Sequence, residues 1–327
     1  MNTLIADALP PGGTIGVVAP ASPYNNYSDV LRGVAWWEAH GYRVKLAEGA
    51  LARTDYVAGR PEDRARDLAA MFADPGVDAI QCLRGGYGSA QVIPHLDFSV
   101  IADHPKPFIG FSDITALHVA ILNFTGLATF YGPSLTSVGS PDMSDFTGQR
   151  LLQVLRGEAT GPFPRNPDDP FARALAPGRA SGRVVGGCLG DLLFTLGTPW
   201  EINLAEAILV LEDNGNSPHG IDRALLQLAQ AGKLKQVRGV VVGYLTGCEY
   251  HEGGGSPFPR SKVLEEVFEE RLGPLGVPIL YQLPFGHGPQ FATLPLGVLA
   301  ELDADAGSLV ISEPALHPRG GASQRTR

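Results

Sequence analysis

The sequence predicts an α/β protein of two domains, and three observations support this prediction. The chain has 327 residues, which is beyond the length at which a single hydrophobic core keeps growing. Strand-like and helix-like segments alternate along it, as in parallel sheets with right-handed crossovers. A proline-rich stretch, Gly157–Gly178, interrupts this alternation and is typical of a linker. We therefore predict an N-terminal domain over 1–156, a linker over 157–180 and a C-terminal domain over 181–327.

The first half of the chain contains five strands and four helices by this criterion. Thr14–Ala19 is a short apolar run, as expected of a buried strand. Ser28 is a good N-cap for the helical pattern that ends before Gly41, and Pro61 suits the first turn of the next helix. The predicted strands are Thr14–Ala19, Arg43–Leu46, Val77–Leu83, Pro107–Phe111 and Ala128–Tyr131, and the predicted helices are Ser28–His40, Pro61–Phe72, Asp113–Asn123 and Phe146–Leu155.

The second half repeats the alternation. Its clearest elements are the apolar strand Val237–Gly243 and the amphipathic helix Arg260–Leu272. The polar, glycine-rich tail from His317 onward is expected to be loose. The predicted strands are Arg183–Gly186, Ala207–Leu211, Val237–Gly243, Pro278–Gln282, Val298–Asp303 and Ser308–Ile311, and the predicted helices are Leu189–Leu196, Ile221–Ala231 and Arg260–Leu272.

Composition and charge exclude several classes of protein. The net charge is −9, so the chain is a poor candidate for binding nucleic acid or an anionic membrane. The three cysteines, Cys82, Cys188 and Cys248, are far apart and form no C-x-x-C pair for zinc or redox chemistry. The start lacks the pattern of a signal peptide, and no apolar run approaches the ~20 residues that span a bilayer. We expect a soluble, cytoplasmic protein.

Ser112 follows a predicted buried strand and precedes a predicted helix, in the stretch GFSDITALH. Ligands of parallel sheets bind at the carboxyl ends of strands, so a serine on this turn suits nucleophilic attack. The N–H of Asp113 lies at a helix N-terminus, where partial positive charge stabilises an oxyanion. Serine is also a favoured N-cap, and the stretch departs from the G-x-S-x-G elbow of α/β-hydrolases. Both interpretations of Ser112 stay open at this point.

Two further turns follow predicted strands. RGGYG, which begins at Arg84, allows close approach of the backbone to a ligand, and Gly85 or Gly86 could donate an N–H to an oxyanion. It is neither a G-x-G-x-x-G nor a P-loop motif, and it is equally compatible with a plain strand-to-helix turn. In ILVLEDNG an apolar strand runs into Glu212 and Asp213, which could lie in a cleft or form a solvated pair.

His287 lies between glycines in PFGHGPQFATLPLG, a stretch that is too irregular for a helix or a strand. Its imidazole titrates near neutrality and suits a general base, although an exposed loop histidine is the simpler explanation. A nucleophilic serine needs a base, and the base needs a carboxylate to fix its tautomer. Ser112, Glu212 and His287 supply one of each, and their positions predict a site in the interdomain cleft.

At these residues the chain resembles the LD-carboxypeptidase family of serine peptidases, which includes muropeptide LD-carboxypeptidases and microcin C immunity proteins. The resemblance covers roughly Gly12 to Ile311, on the ordered motifs TIGVVAPAS, RGGYGS, GFSDITALH, GGCLGDLLFTLGTPW, LEDNG and LPFGHGPQFATLPLG. It implies a flavodoxin-like N-terminal parallel-sheet domain and a smaller C-terminal α/β domain. It further implies that Ser112 is the nucleophile, His287 the general base and Glu212 the residue that orients it.

The resemblance also implies an oxyanion hole of main-chain N–H groups from Asp113 and the glycine loop, chiefly Gly86 and also Gly85. The implied reaction is hydrolysis of the amide bond between an L-configured centre and a C-terminal D-amino acid, such as D-alanine of a muropeptide tetrapeptide. No metal or organic cofactor is implied, and members are commonly homodimers. A substrate that ends in a carboxylate requires a nearby cation, and we name Arg84, with a structural ion pair as the alternative.

The chain departs from the family pattern in two places. Asn214 and Asn216 stand where many relatives have a hydrophobic residue and a glutamate. The segment between Gly243 and Arg260 is short and contains no tryptophan, whereas immunity-type members carry a longer insertion with an aromatic residue for stacking on a nucleobase. Its aromatic residues are Tyr244, Tyr250 and Phe258. This favours a muropeptide substrate. The alternatives are an immunity-type peptidase that cleaves a peptidyl nucleotide, another serine hydrolase such as an α/β-hydrolase esterase, and a non-catalytic two-domain protein that binds a ligand.

Overall fold

The computed structural model describes residues 3–165, 173–249 and 262–318. The strands are β1 Ala6–Asp7, β2 Thr14–Val18, β3 Arg43–Leu46, β4 Ala79–Cys82, β5 Phe108–Gly110, β6 Thr129–Tyr131, β7 Gly161–Pro162, β8 Arg173–Ala176, β9 Arg179–Cys188, β10 Ala207–Asn214, β11 Gly239–Thr246, β12 Ile279–Tyr281, β13 Leu294–Leu296, β14 Leu299–Asp303, β15 Ser308–Ile311 and β16 Leu316–His317. The helices are α1 Tyr27–Ala39, α2 Pro61–Ala73, α3 Ser89–Val92, α4 Phe98–Asp103, α5 Thr115–Thr125, α6 Leu135–Val138, α7 Asp145–Leu155, α8 Leu189–Leu193, α9 Pro218–Gln230 and α10 Leu264–Leu272. None of the helices in the described ranges is long and apolar enough to cross a membrane.

The first sheet is built almost entirely from the first half of the chain. Its six strands lie in the order β13-β6-β5-β4-β2-β3, and all neighbours are parallel except β13 and β6. Every residue of β2, β4, β5 and β6 is buried, as expected of strands that helices cover on both faces. The carboxyl ends of β4 and β5 therefore lie side by side, and the turns that follow them meet at one edge of the sheet.

The second sheet has eight strands in the order β7-β15-β14-β9-β10-β11-β12-β8. Its centre, β9 to β12, is parallel, and antiparallel strands flank it on both sides. Seven of the eight residues of β10 are buried, and Glu212 is among them. A carboxylate at such a position needs hydrogen-bond partners, because burial of an unpaired charge is costly.

These sheets confirm the predicted α/β fold class: the first sheet is mostly parallel, and the second is mixed with a parallel centre. The prediction that PFGHGPQFATLPLG contains neither helix nor strand is wrong in part, because Leu294–Leu296 forms β13 on the edge of the first sheet. Three consecutive buried residues carry little periodicity, and the strand exists only because β6 offers it a partner. The helix predicted from Ser28 begins at Tyr27, and Ser28 is not its N-cap. The start of the helix predicted at Arg260 lies outside the described residues.

The division of the chain at 157–180 stays a prediction, and the structure adds detail to it. That segment contributes β7 and β8 to the second sheet. In the other direction, β13 joins the first sheet, and β1 pairs with β16 near the two ends of the described chain, so His317 belongs to a strand. One buried apolar cluster includes residues from both halves, among them Ile109, Phe130, Ile208 and Leu280.

Candidate active site

Ser112 stands on the turn that connects β5 to α5. Its φ of +61° is in the left-handed region, which non-glycine residues seldom occupy because the conformation costs roughly 1–3 kcal/mol. A short 3₁₀ turn, Ser112–Ile114, follows before α5 begins at Thr115. The Ser112 side chain caps neither helix, and its hydroxyl makes no hydrogen bond within the described part of the chain. The N-cap interpretation is therefore wrong, and the strained turn presents a free hydroxyl.

Two neighbours hold this turn. The Ser112 N–H donates to the Tyr131 hydroxyl oxygen at 3.0 Å. On the other side the glycine loop packs directly on the serine: a Cβ on Gly85 would lie 2.8 Å from Ser112 Cβ and 3.2 Å from its Oγ. Because no real Cβ approaches another atom so closely, only glycine allows this contact. The glycine loop and Ser112 are thus in contact, as their positions after β4 and β5 predict.

Glu212 and His287 form a hydrogen-bonded pair. One carboxylate oxygen of Glu212, Oε2, accepts hydrogen bonds from His287 Nδ1 at 2.7 Å and from the His287 main-chain N–H at 3.0 Å. The other oxygen, Oε1, accepts from the Tyr131 hydroxyl at 2.5 Å. Glu212 is completely buried, and three donors on one acid require an ionised, acceptor-only carboxylate. The interpretation of Glu212 as a solvated residue is wrong.

The pair controls the protonation of the imidazole. Burial by itself would lower the pKa of His287, but the hydrogen bond and charge of Glu212 outweigh it and raise that pKa. The carboxylates of Asp191 and Asp213 act in the same direction. Because Nδ1 donates to Glu212, Nε2 of the neutral ring carries a lone pair and is the atom that accepts a proton.

Ser112 and His287 both line one cleft of about 530 Å³, which also includes Arg84, Gly85 and Gly86. The ring of Phe111, the residue before the serine, lies 4.9 Å from the His287 ring centroid to centroid. The nucleophile candidate comes from the first sheet and the base candidate from a loop after β12 of the second. The cleft therefore brings together the three residues that the sequence predicts as a triad, with Glu212 buried behind His287.

The main chain around the cleft provides hydrogen-bond donors. The N–H groups of Gly85 and Gly86 donate to no acceptor among residues 3–165, 173–249 and 262–318. Asp113 follows Ser112 in the 3₁₀ turn, and its carboxylate accepts from the Ser89 N–H at 2.8 Å. That contact points the Asp113 side chain away from the cleft and toward α3. Gly85 packs against Ser112 and Gly86 lines the same cleft, and the oxyanion hole formed by these amide groups stays a prediction.

Arg84 lines the same cleft. Its guanidinium donates to Asn25 Oδ1 and, at 3.4 Å, to the Pro23 carbonyl. It makes no ion pair with any carboxylate in the described residues, so the predicted alternative of a structural ion pair is wrong for this part of the chain. Burial lowers the pKa of Arg84, but an arginine stays charged at neutral pH. A half-buried cation without a protein carboxylate can receive the carboxylate of a ligand.

Sequence reasoning missed Tyr131, which contacts both halves of the site. It lies on β6, it is completely buried, and its hydroxyl touches Ser112 and Glu212. An aromatic residue in an apolar strand carries no local sign of function, since its usual role is in the core. Asn214, one of the two asparagines that depart from the family pattern, lines the cleft. Tyr250 and Phe258 lie outside the described residues.

Comparison of this α/β protein with known families places the chain among carboxypeptidases. Residues 15–132 match the LD-carboxypeptidase N-terminal domain, and residues 181–302 match the LD-carboxypeptidase C-terminal domain. The chain belongs to the LD-carboxypeptidase family, which confirms the resemblance drawn from its motifs.

Three similar proteins show the range of the family. The chain is 37% identical to a probable murein peptide carboxypeptidase of Bacillus subtilis, over 93% of each protein. It is 33% identical to the murein tetrapeptide carboxypeptidase of Pseudomonas aeruginosa, over 90% of this chain and 95% of the relative. A solved structure of the microcin C7 self-immunity protein MccF with aspartyl sulfamoyl adenosine is 28% identical, with a TM-score of 0.86 over 96% of this chain and all of that one.

Proposed function

We propose that this protein is a serine-type LD-carboxypeptidase that removes D-alanine from the tetrapeptide of a muropeptide. The observation that carries the proposal is the buried Glu212–His287 pair, which opens onto the same cleft as the strained Ser112 turn. The chain's similarity to relatives named murein peptide carboxypeptidases supports the substrate class. A cytoplasmic location and a homodimer stay predictions.

In the first half of the reaction, Ser112 Oγ attacks the carbonyl carbon of the scissile amide while its proton moves to His287 Nε2. Glu212 stays ionised and stabilises the imidazolium that forms. The N–H groups of Gly85, Gly86 and Asp113 stabilise the oxyanion of the tetrahedral intermediate. The intermediate then expels D-alanine, whose amine takes the proton from His287, and leaves an ester between Ser112 and the shortened peptide.

In the second half, water attacks this ester and gives a proton to His287. The second intermediate expels Ser112, which recovers its proton from the imidazolium, and the tripeptide acid leaves. Ser112 Oγ has no hydrogen bond to His287 in the described structure, and such contacts often tighten only when substrate binds. Arg84 binds the terminal carboxylate of D-alanine, since it is the cation beside the glycine loop and no described carboxylate pairs with it.

The direct test is incubation of the protein with defined muropeptides that end in an L,D-linked or a D,D-linked D-alanine. Mass spectrometry should detect free D-alanine from the L,D-tetrapeptide alone. Ser112→Ala should lower kcat by several orders of magnitude, as in other serine hydrolases. Ser181→Ala, at an exposed serine on β9, is the control and should retain wild-type turnover. Near-wild-type turnover by Ser112→Ala would defeat the assignment of the nucleophile.

The role of Arg84 is tested with the substrate rather than the enzyme alone. A tetrapeptide that ends in D-alaninamide lacks the carboxylate, so it should be a poorer substrate for the wild type. Arg84→Gln should raise KM for the acid about 10–100-fold, the range of a lost charge-assisted hydrogen bond, and should leave the amide unchanged. An equal loss on both substrates would mean that Arg84 does not read the carboxylate.

A peptidyl nucleotide is the second candidate substrate, because the fold matches that of MccF closely. The short segment between Gly243 and Arg260 and its lack of tryptophan favour the muropeptide. Competition decides between them: kcat/KM is measured for the L,D-tetrapeptide and for an aminoacyl sulfamoyl adenosine. A larger kcat/KM for the nucleotide would mean that the substrate is a peptidyl nucleotide, as for immunity-type members, and would not change the proposed triad.

A further inference from the structure

We propose that the hydroxyl of Tyr131 is a positioning group, which joins the turn that bears the nucleophile to the carboxylate that holds the base. This inference rests on the proposed triad and adds a fourth member to it. Two hydrogen bonds support it: the Ser112 N–H donates to the Tyr131 oxygen at 3.0 Å, and the Tyr131 O–H donates to Glu212 Oε1 at 2.5 Å. No other described side chain contacts both Ser112 and Glu212 through a hydrogen bond.

The position of this hydroxyl is fixed by packing. The Tyr131 ring lies between the rings of Phe111, Phe291 and His118, with centroids 5.9–6.3 Å away. Its strand, β6, pairs with β5 on one side and with β13 on the other. The strand before Ser112 and the strand after the His287 loop therefore both flank Tyr131. Removal of the oxygen alone, in Tyr131→Phe, would leave the ring in place.

The first consequence concerns the oxyanion hole. The Ser112 N–H points at the tyrosine oxygen, so it is unavailable to an oxyanion above the serine. The donors must then come from the following residue, Asp113, and from the glycine loop at Gly85 and Gly86. Tyr131 also gives the left-handed Ser112 a hydrogen bond that offsets part of its conformational cost.

The second consequence concerns the charge on Glu212. The carboxylate is completely buried, and Tyr131 is the only donor to Oε1 in the described structure. Without it, one oxygen of a buried anion has no partner, and the deprotonated state of the Glu212–His287 pair becomes less stable. The pair would then bind its proton more tightly. The other titratable groups near the Glu212–His287 pair are the carboxylates of Asp191 and Asp213 and the thiol of Cys188. Burial raises the pKa of the Cys188 thiol.

The test is a titration of His287 by NMR in protein labelled at histidine, with its signal assigned through His287→Gln. Tyr131→Phe should raise the pKa of His287 by roughly half a unit to one unit and lower kcat/KM at least about tenfold, with the acid limb of the pH profile displaced to higher pH. His118 is an internal reference, because it contacts the Tyr131 ring but, among the described residues, hydrogen-bonds only to Thr129 and Gly110.

Tyr42→Phe is the matched control. It also deletes the hydroxyl of a buried tyrosine, which accepts from Arg156 Nε at 3.2 Å. Neither residue lines the cleft, so the variant should leave the His287 titration unchanged. An unchanged or lowered His287 pKa in Tyr131→Phe would overturn the proposal, even if turnover fell. The titration needs no substrate. If the wild type released no D-alanine, the proposed function would fail, while this measurement would still decide the role of Tyr131.

Discussion

At Ser112 the requirements of function and stability are opposed. The left-handed backbone places the hydroxyl over the cleft, and it costs free energy that the Tyr131 hydrogen bond and the packed glycine loop offset. Asp113 strengthens the same turn, since its carboxylate and its carbonyl both accept hydrogen bonds from Ser89. Burial raises the pKa of Asp113, and the hydrogen bonds from Ser89 offset only part of this rise.

This opposition predicts different outcomes for two inactive variants. Ser112→Ala retains the strained backbone, whereas Ser112→Gly relieves it, because glycine occupies the left-handed region without a Cβ penalty. We expect both variants to lose activity and Ser112→Gly to be more stable than Ser112→Ala by about 1 kcal/mol. Chemical denaturation measures the difference. A less stable glycine variant would show that the positive φ at Ser112 is not a source of strain.

The Glu212–His287 pair predicts the pH dependence of activity. His287 acts as a base only when neutral, and Glu212 raises its pKa above the ordinary 6.5. The kcat/KM of the wild type should therefore rise with pH through a midpoint above 6.5. In Glu212→Gln the raising charge is gone, so the midpoint should move to lower pH, and kcat/KM should fall about 10³–10⁴-fold because the tautomer is no longer fixed.

Glu212→Asp is the useful comparison for that variant, because it keeps the charge and withdraws the carboxylate by one methylene. Its midpoint should stay nearer to that of the wild type than the midpoint of Glu212→Gln. If Glu212→Gln retained both wild-type turnover and the wild-type midpoint, the carboxylate would have no part in the reaction.

At the scale of elements, the loop after β12 depends on one glycine to bring His287 onto the carboxylate. Gly286 has a φ of +96°, and a Cβ there would collide with the side chain of Glu212. Gly286→Ala should therefore displace the loop and lower kcat/KM at least about 100-fold, as a misplacement near 1 Å does in other enzymes. Activity on the L,D-tetrapeptide and the His287 titration both measure the effect.

Gly276→Ala is the matched control for that variant. Gly276 also has a positive φ, of +65°, but nothing lies within 4 Å of the position of its Cβ. Its substitution should cost about 1–2 kcal/mol of stability through backbone strain and leave the activity of the folded enzyme intact. Equal activities of Gly286→Ala and Gly276→Ala would show that the close approach to Glu212 has no catalytic importance.

The elements also show what a sequence can and cannot indicate. The turns that carry Ser112 and the glycine loop could be predicted, because each follows a strongly apolar strand and strand ends of one sheet meet at one edge. The start of α1 at Tyr27 could not, since Asn26 and Ser28 are equally good N-caps by residue type, and Asn26 precedes the helix without a side-chain cap. Strand β13 and the role of Tyr131 depend on contacts between distant segments, which local patterns do not contain.

Across the whole molecule, the chain between β12 and β13 passes from one sheet to the other and carries His287 on the way. The loop is tied to the first half of the chain before it reaches β13, because the Phe291 N–H donates to Thr147 Oγ1 at 2.8 Å. Both ends of the His287 loop are thus part of a sheet, and the two sheets share a buried apolar cluster. The base is therefore held at the nucleophile's cleft by a loop that is anchored in both sheets.

A shared core predicts that the protein unfolds as one unit, although its length suggests two domains. Calorimetry should give a single transition with equal calorimetric and van't Hoff enthalpies. Leu294 on β13 is completely buried, so Leu294→Ala should cost about 2–5 kcal/mol and move the whole transition to lower temperature. Leu228 lies on α9 and belongs to the second buried apolar cluster. Leu228→Ala should also move the whole transition to lower temperature. If either substitution split the transition into two, the two sheets would be independent folding units. The position of His287 relative to Ser112 would then depend on how the two units dock.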